Sequence, residues 1–288
     1  MKIGIFSSKN KPEAEYYVSN LDEVLRKEAA ERGISLETER FITSKTREDS
    51  DAFDGLSLGV SIGGDGTFLH AARFAAAHDF PVLGINLGKL GFLTEINKNT
   101  LEDMSRHLLE GDYTIETRRM LKVVVKNESG ETTVEDYALN DCVIQRDTFA
   151  KIMYADAYIN GIFVTSYACD GIVIATQTGS TAYSYAAGGP VVEPGCDVSV
   201  ITPLNAHFTD SHSLVINSGS TVEFRLLGKA GSVALTADGR INRFFKEGET
   251  VFCCLAPERT VKMIRINPPT FYETLSEKLR QRGEKRNG

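Results

Sequence analysis

Hydrophobic positions along this chain follow three regimes. In the first, Lys2-Ile3-Gly4-Ile5-Phe6-Ser7 is a short apolar run ending in small polar residues, as in a buried parallel strand. From Pro12 to Arg32 apolar residues recur at helical spacing (Tyr16, Val18, Leu21, Val24, Leu25) and stop at Gly33, which predicts a helix. Ile34 to Ile42 reads as a second strand and polar Thr43 to Asp54 as a connection. Leu58 to Ile62 is again strand-like, with β-branched residues. Alanine-rich Phe68 to Ala77 reads as a helix capped by Thr67, and Pro81 to Asn86 as another strand. Leu101 to Leu109 predicts one more short helix. Strands alternating with helices predict an α/β domain built on a doubly wound parallel sheet.

From about Thr114 to Ile266 the period shortens to two. Leu121 to Val125, Val134 to Ile144, Ala155 to Ile159, Phe163 to Tyr167 and Val222 to Leu227 read as short strands. Asn160-Gly161, between two alternating runs, is the strongest hairpin signal in the chain. The third regime follows Pro268-Pro269, where Phe271-Tyr272 opens a charged helical stretch. The division expected is an α/β domain over 1–100, a β-rich domain over 101–266, and a tail over 267–288 that packs back on the first domain.

At 288 residues, 42% hydrophobic and 25% charged, the composition is that of an ordinary globular protein. A net charge of −7 offers no basic excess for nucleic acid or anionic membrane. No apolar run approaches a membrane span and no signal-peptide pattern opens the chain, so a cytoplasmic setting is expected. The five cysteines, Cys142, Cys169, Cys196, Cys253 and Cys254, form no C-x-x-C pair, and the five histidines show no ligand spacing. The expectation is reduced thiols, buried or half-buried, and no metal held by the protein alone.

Chemistry concentrates in three stretches. Gly63-Gly64-Asp65-Gly66-Thr67 joins a strand to a helix through a glycine turn, an arrangement whose free N–H groups and helix dipole attract phosphate. It is neither the G-x-G-x-x-G fingerprint nor a P-loop. Asp65 is the unusual member, because a carboxylate repels phosphate unless a cation intervenes or the carboxylate takes part in the reaction. The plain alternative is an exposed Asp that helps to cap the helix. In Leu139-Asn140-Asp141, polar residues interrupt an apolar pattern. The amide could pair with a base edge and the carboxylate with sugar hydroxyls, against the alternative of a solvated strand end. The third stretch, Asp170-Gly171 through Thr178-Gly179-Ser180-Thr181-Ala182-Tyr183-Ser184, is a second strand, polar turn and helix start. It is rich in hydroxyls and carries an aromatic face at Tyr183.

Taken with Gly84-Ile85-Asn86-Leu87-Gly88-Lys89-Leu90-Gly91-Phe92-Leu93, these motifs resemble, in order and spacing, the NAD kinase family over essentially the whole chain. The glycine loop alone is shared with diacylglycerol and sphingosine kinases and with phosphofructokinases; the combination is specific. The resemblance implies a Rossmann-like N-terminal domain, a C-terminal β-sandwich-like domain, and homo-oligomers, tetramers or dimers. The reaction it implies is phosphoryl transfer from ATP with Mg²⁺, in some members from polyphosphate, to the 2′-hydroxyl of the adenosine ribose of NAD, giving NADP. By position, Asp65 resembles the family's proposed base, with Gly63, Gly64, Gly66 and Thr67 in the phosphate loop. Gly66, Asn140, Asp141, Asp170, Thr178, Thr181, Ala182, Tyr183, Ser184, Tyr185 and Ala186 fall on dinucleotide contacts, and Phe92 beside the adenine. Lys151 and Asn205 match less closely, Asn205 as a residue reaching a neighbouring subunit's site. Three positions depart from the family: Asp141 where Glu is usual, Ala168 where many members are basic, and Arg240 where Gln is common.

The residues agree with such a transfer. Phosphoryl transfer passes through a loose transition state, so positioning and charge neutralisation outweigh strong base chemistry. A weakly basic Asp65 would orient the hydroxyl and receive its proton late in the transfer. Two rivals are a lipid kinase sharing the glycine loop, and a non-catalytic NAD(P)-binding regulator. The first lacks a membrane-facing amphipathic stretch here; the second has no use for Asp65 and would release no ADP.

Overall fold

The computed structural model describes residues 1–8, 12–88, 91–97, 101–147, 152–207, 212–227, 233–245 and 248–284. In chain order the elements begin β1 (Lys2–Ser7), α1 (Pro12–Glu31), β2 (Glu37–Ile42), β3 (Leu58–Gly63), α2 (Asp65–His78), β4 (Val82–Asn86), β5 (Ile96–Asn97) and α3 (Leu101–Glu110). They continue β6 (Thr114–Lys126), β7 (Thr132–Ala138), β8 (Asp141–Arg146), β9 (Met153–Ile159), β10 (Ile162–Cys169), β11 (Gly171–Thr176), α4 (Tyr183–Ala186) and β12 (Val198–Leu204). Last come β13 (Leu214–Asn217), β14 (Val222–Leu226), β15 (Val233–Ala237), β16 (Arg240–Phe244), β17 (Thr250–Arg265) and α5 (Phe271–Glu284). The chain divides into two compact units, 1–118 with 261–288, and 119–260.

The first unit is the expected doubly wound sheet. β2, β1, β3 and β4 lie side by side and parallel, and β5 and Met263 of β17 pair with β4. Alternation sends Ile3, Ile5, Leu58, Val60, Ile62, Leu83 and Ile85 to the face covered by α1 and α3. Gly59 and Gly63 point to the other face, where the nearest side chains are Phe6, Phe80 and, from α2, Thr67. This unit runs past the expected limit at residue 100. Leu101, Met104 and Leu108 of α3 bury their apolar stripe with Val18, Leu21 and Leu25 of α1. Glu95 accepts from the Ile266 N–H at 2.7 Å, and Arg265 ties Glu116 at 2.6 Å, so the last residues of β17 belong here as well.

The second unit is a sandwich of antiparallel strands. One layer runs β13, β12, β11, β8, β15 and β16. The other is built from β9 flanked by β10 and β14, with β14 against the Thr250–Thr260 part of β17 and β6 against β7. Inward-facing Ile172, Ile174, Ile144 and Leu235 of the first layer meet Ala155, Tyr167, Phe224 and Val123 of the second in one dry core. Asn160 and Gly161, at φ +51° and +78°, form the expected two-residue hairpin turn between β9 and β10.

Val134 to Ile144 is not one strand. β7 ends at Ala138 and β8 begins at Asp141, and the two belong to different layers of the sandwich. Leu139 and Asn140 are the crossing between them, which is why polar residues break the apolar pattern there. All five cysteines are free thiols. Cys142, Cys169 and Cys253 are buried and Cys254 half-buried, whereas Cys196 is exposed, against the expectation. Among the described residues no helix is long and apolar enough to cross a membrane.

Candidate active site

In the first unit the glycine turn sets Asp65 at the first position of α2. Gly64 is the N-cap, extended at φ −113°, and offers no side chain to the helix. The N–H groups of Thr67 and Phe68 both return to the Gly64 carbonyl, at 2.9 and 3.1 Å. Thr67 is therefore not the cap. It lies inside the first turn, buried over Gly63, where a Cβ would collide with its hydroxyl. The helix starts three residues earlier than expected because glycine supplies the cap conformation and Asp65 already takes helical geometry, its negative charge favoured at the N-terminus. The N–H groups of Asp65 and Gly66 have no intrahelical acceptor at this position.

The Asp65 carboxylate is not a cap either. It turns to the segment after β4, accepting the N–H groups of Phe92 and Leu93 at 3.3 Å each and the Thr94 hydroxyl at 3.4 Å. Gly91 makes this possible, since a Cβ there would fall on the carboxylate itself. Phe92 is half-buried, its ring 6.0 Å from that of Phe271 in α5. Asp65, Gly66 and Phe92 are thus brought together through the backbone, on either side of one carboxylate.

In the second unit the crossing at Leu139-Asn140 is built from hydroxyl and carboxylate contacts. Thr176 donates its N–H to the Asn140 carbonyl at 2.9 Å and its hydroxyl to the Leu139 carbonyl at 2.6 Å. Gly179 packs against the Asn140 carbonyl so closely that no Cβ fits between them. Asp141 is buried, 5% exposed, and accepts from the Tyr183 N–H. Burial, and then the negative charge of Asp238, push its carboxyl up to about 7 against that hydrogen bond. Asn140, Asp141, Gly179 and Tyr183 accordingly form one cluster, with the Tyr183 ring exposed beside it.

Asp170 forms a second cluster. Arg146 binds one of its oxygens at 2.7 Å and Asn205 the other at 2.9 Å, and these two contacts, in that order, hold it below the usual carboxylate range. Ala168 is buried close by in sequence, its carbonyl accepting from the His207 N–H. Asn205 sits within this chain's own cluster, at φ +47°. Arg240, half-exposed, pairs with buried Asp136 at 3.3 Å.

The hydroxyl-rich stretch differs from its expected form. After β11 the chain makes a 3₁₀ turn at Gly179–Thr181 and a single helical turn, α4, rather than a full helix. Much of its hydroxyl density is spent internally. Ser180 bonds the Gln177 carbonyl and the Val192 N–H, and Ser184 is buried against the Thr202 hydroxyl at 2.9 Å. Thr181 returns to the Thr178 carbonyl. Tyr185 is half-buried and Ala186 exposed. Lys151 lies outside the described residues.

Comparison with known proteins identifies the family. Residues 5–113 match the model of the ATP-NAD kinase N-terminal domain, and residues 139–266 that of the ATP-NAD kinase C-terminal domain. The chain belongs to the NAD kinase family. The NAD kinase of Acetivibrio thermocellus is 34% identical over 287 residues, 99% of each chain. That of Porphyromonas gingivalis is 34% identical over 96% of this chain and 97% of its own. Yeast NADH kinase, solved in complex with NADH, shares the fold at a TM-score of 0.83 and 21% identity, covering 97% of this chain and 87% of its own. An NAD kinase from Archaeoglobus fulgidus, solved in complex with ATP, matches at a TM-score of 0.73 and 25% identity over 97% of this chain and 99% of its own. Against this NAD kinase family background, Asp238, Arg146 and Asp136 are the polar residues that the motif reading passed over. A signal for Asp238 existed: Asp238-Gly239, after the largely apolar run Val233–Ala237 and before Arg240–Phe244, where Ile241 and Phe244 alternate with polar residues, is a hairpin dipeptide.

Proposed function

We propose that this chain transfers a phosphoryl group from the magnesium complex of ATP to the 2′-hydroxyl of the adenosine ribose of NAD, forming NADP. The observation that carries the reading is the Asp65 carboxylate, fixed by two backbone N–H groups and a hydroxyl at the start of a helix whose first N–H groups are uncapped. Membership of the NAD kinase family, and relatives solved with NADH and with ATP, support it.

In this reading Asp65 orients the 2′-hydroxyl and takes its proton as the bond to phosphorus forms, while the uncapped N–H groups of the loop formed by Gly63, Gly64, Gly66 and Thr67, those of Asp65 and Gly66, face the donor phosphates. The divalent cation enters with ATP and neutralises phosphate charge, so the protein needs no cation site of its own. Asn140 addresses the base and Asp141 the ribose, with Phe92 and Tyr183 as flat apolar faces. Asp170, Asn205, Lys151, Ala168, Thr178, Thr181, Ala182, Tyr185, Ala186 and Arg240 complete the dinucleotide contacts. Ser184 contributes through its backbone, because its hydroxyl is engaged by Thr202. Asp141 is one methylene shorter than the usual Glu, which favours a longer or water-mediated ribose contact. A homo-oligomer, dimeric or tetrameric, in the cytoplasm is the setting that fits the family.

The test is an end-point assay of NADP with ATP, Mg²⁺ and NAD, repeated with polyphosphate and with 2′-deoxy-NAD. NADP and ADP should form in equal amounts from ATP, and the deoxy compound should bind without being phosphorylated. Binding of NAD without any ADP release would overturn the reading.

A further inference from the structure

We propose that Asp238 is a positioning residue of the coenzyme site, holding Asn140 and Asp141 in place through their backbone N–H groups. The proposal rests on the reading of Asn140 and Asp141 as dinucleotide contacts and names what keeps them there.

A chain that leaves one sheet for another loses its ladder partners, so the N–H groups of the crossing need acceptors from elsewhere. Here all three come from a single side chain almost a hundred residues away. Asp238 accepts the Leu139 N–H on one carboxylate oxygen at 2.7 Å. The other oxygen accepts the N–H groups of Asn140 at 2.8 Å and Asp141 at 3.3 Å. Asp238 returns its own N–H to the Asp141 carbonyl at 2.9 Å, closing the contact from both sides.

The hairpin turn does not account for this. Asp238 and Gly239, at φ +48° and +74°, connect β15 to β16, and Asn or Gly would fill the first position of such a turn as readily. A half-buried carboxylate is a costly choice for a turn unless its charge is answered, and three converging N–H donors answer it. Burial still raises the Asp238 carboxyl, against those donors and the charge of Arg240.

Among the described residues, Asp141 meets the charge of Asp238 from the β15–β16 turn and a hydrogen bond from the Tyr183 N–H, and Arg240 near Asp238 is itself paired with Asp136. The neighbouring Cys142 thiol is pushed well above its ordinary range, by the Cys253 thiol and by burial, and stays uncharged. Asp238 therefore has a second effect on its client. Its negative charge opposes ionisation of Asp141, the form that accepts from ribose hydroxyls.

The experiment compares NAD binding by calorimetry from pH 5.5 to 8.5, together with steady-state kinetics and melting temperature, in wild type, Asp238→Asn and Asp141→Ala. Asn satisfies the turn but turns an N–H₂ group on the crossing's donors. Asp238→Asn is expected to weaken NAD about 10-fold, the scale of hydrogen bonds to a charged group. It should raise KM for NAD more than it lowers kcat and move the acid limb of binding to lower pH. Unchanged affinity and an unshifted pH profile would overturn the proposal, as would equal losses in KM for NAD, KM for ATP and melting temperature. Should Asp238→Asn not fold, Asp238→Glu keeps the charge on a longer arm. It is expected to bind NAD more weakly with the acid limb in place, and wild-type affinity in it would overturn the proposal. If Asp141→Ala binds NAD normally, the assignment of Asp141 is what has failed. If it binds poorly while Asp238→Asn binds normally, the positioning role alone is lost.

Discussion

Asp65 and Asp141 are both carboxylates held by backbone N–H groups near a helical turn, yet their surroundings differ in kind. Asp65 is half-exposed and receives two N–H groups and a hydroxyl, all from the segment after β4. Asp141 is buried, receives the Tyr183 N–H, and feels the negative charge of Asp238, so burial and that charge push it up to about 7. The contrast separates two tasks that sequence motifs present alike. A carboxylate supplied with donors is fixed in orientation and can steer a hydroxyl, whereas one starved of solvent and placed beside a like charge carries a proton over part of the physiological range.

Substitutions sharpen that contrast. The largest effect is expected at Asp65: Asp65→Asn should retain NAD affinity while turnover drops at least ~10²-fold, the scale of positioned acid–base catalysis. Single-turnover kinetics with calorimetry will measure both, and near-wild-type turnover would remove Asp65 from the chemistry. Asp141→Ala should act on the other side of the comparison, weakening NAD by about 10-fold with a smaller change in kcat. In wild type the affinity should decline as the pH is lowered through about 7, and in Asp141→Ala this acid limb should be absent; a limb that persists assigns the titration elsewhere.

Gly91→Ala probes the Asp65 support without touching the carboxylate chemically. Its Cβ must displace the side chain from the Phe92 and Leu93 N–H groups, so turnover should fall several-fold at about 1–3 kcal/mol lower stability. Unaltered kinetics would show that the carboxylate's place does not matter. The smallest effect concerns folding. Because the folded chain keeps the Asp141 proton to about 7 and the unfolded chain releases it near 4, stability declines as pH rises across that interval. Asp141→Asn should thus be stabilising above pH 7, by at least about 1 kcal/mol, and indistinguishable from wild type below pH 4. Thermal melts at the two extremes will decide this.

The parts legible in the sequence are those whose cause is local. The α1 stripe through Val18 and Leu21, the Asn160-Gly161 turn and the glycine corner each announce themselves within a few residues, because period and turn chemistry act at that range. Two expectations give way in the structure. Gly64, not Thr67, takes the cap position, and Val134 to Ile144 divides at Leu139-Asn140 because β8 pairs with β11 and β15, far along the chain. The boundary near residue 100 moved for a similar reason, since the stripe on α3 finds its apolar partner on α1.

By itself the sequence determined the α/β and β-rich halves, the family and the residues that carry its motifs, since these follow from short-range period and from spacing. Only the tertiary structure decided what those residues experience. Asp65 meets Phe92 and Leu93 across 27 and 28 positions, and Asp238 meets Leu139, Asn140 and Asp141 across 97 to 99. Burial and like-charge repulsion depend on distances in space, which no local pattern encodes, and here they push the Asp141 carboxyl up to about 7.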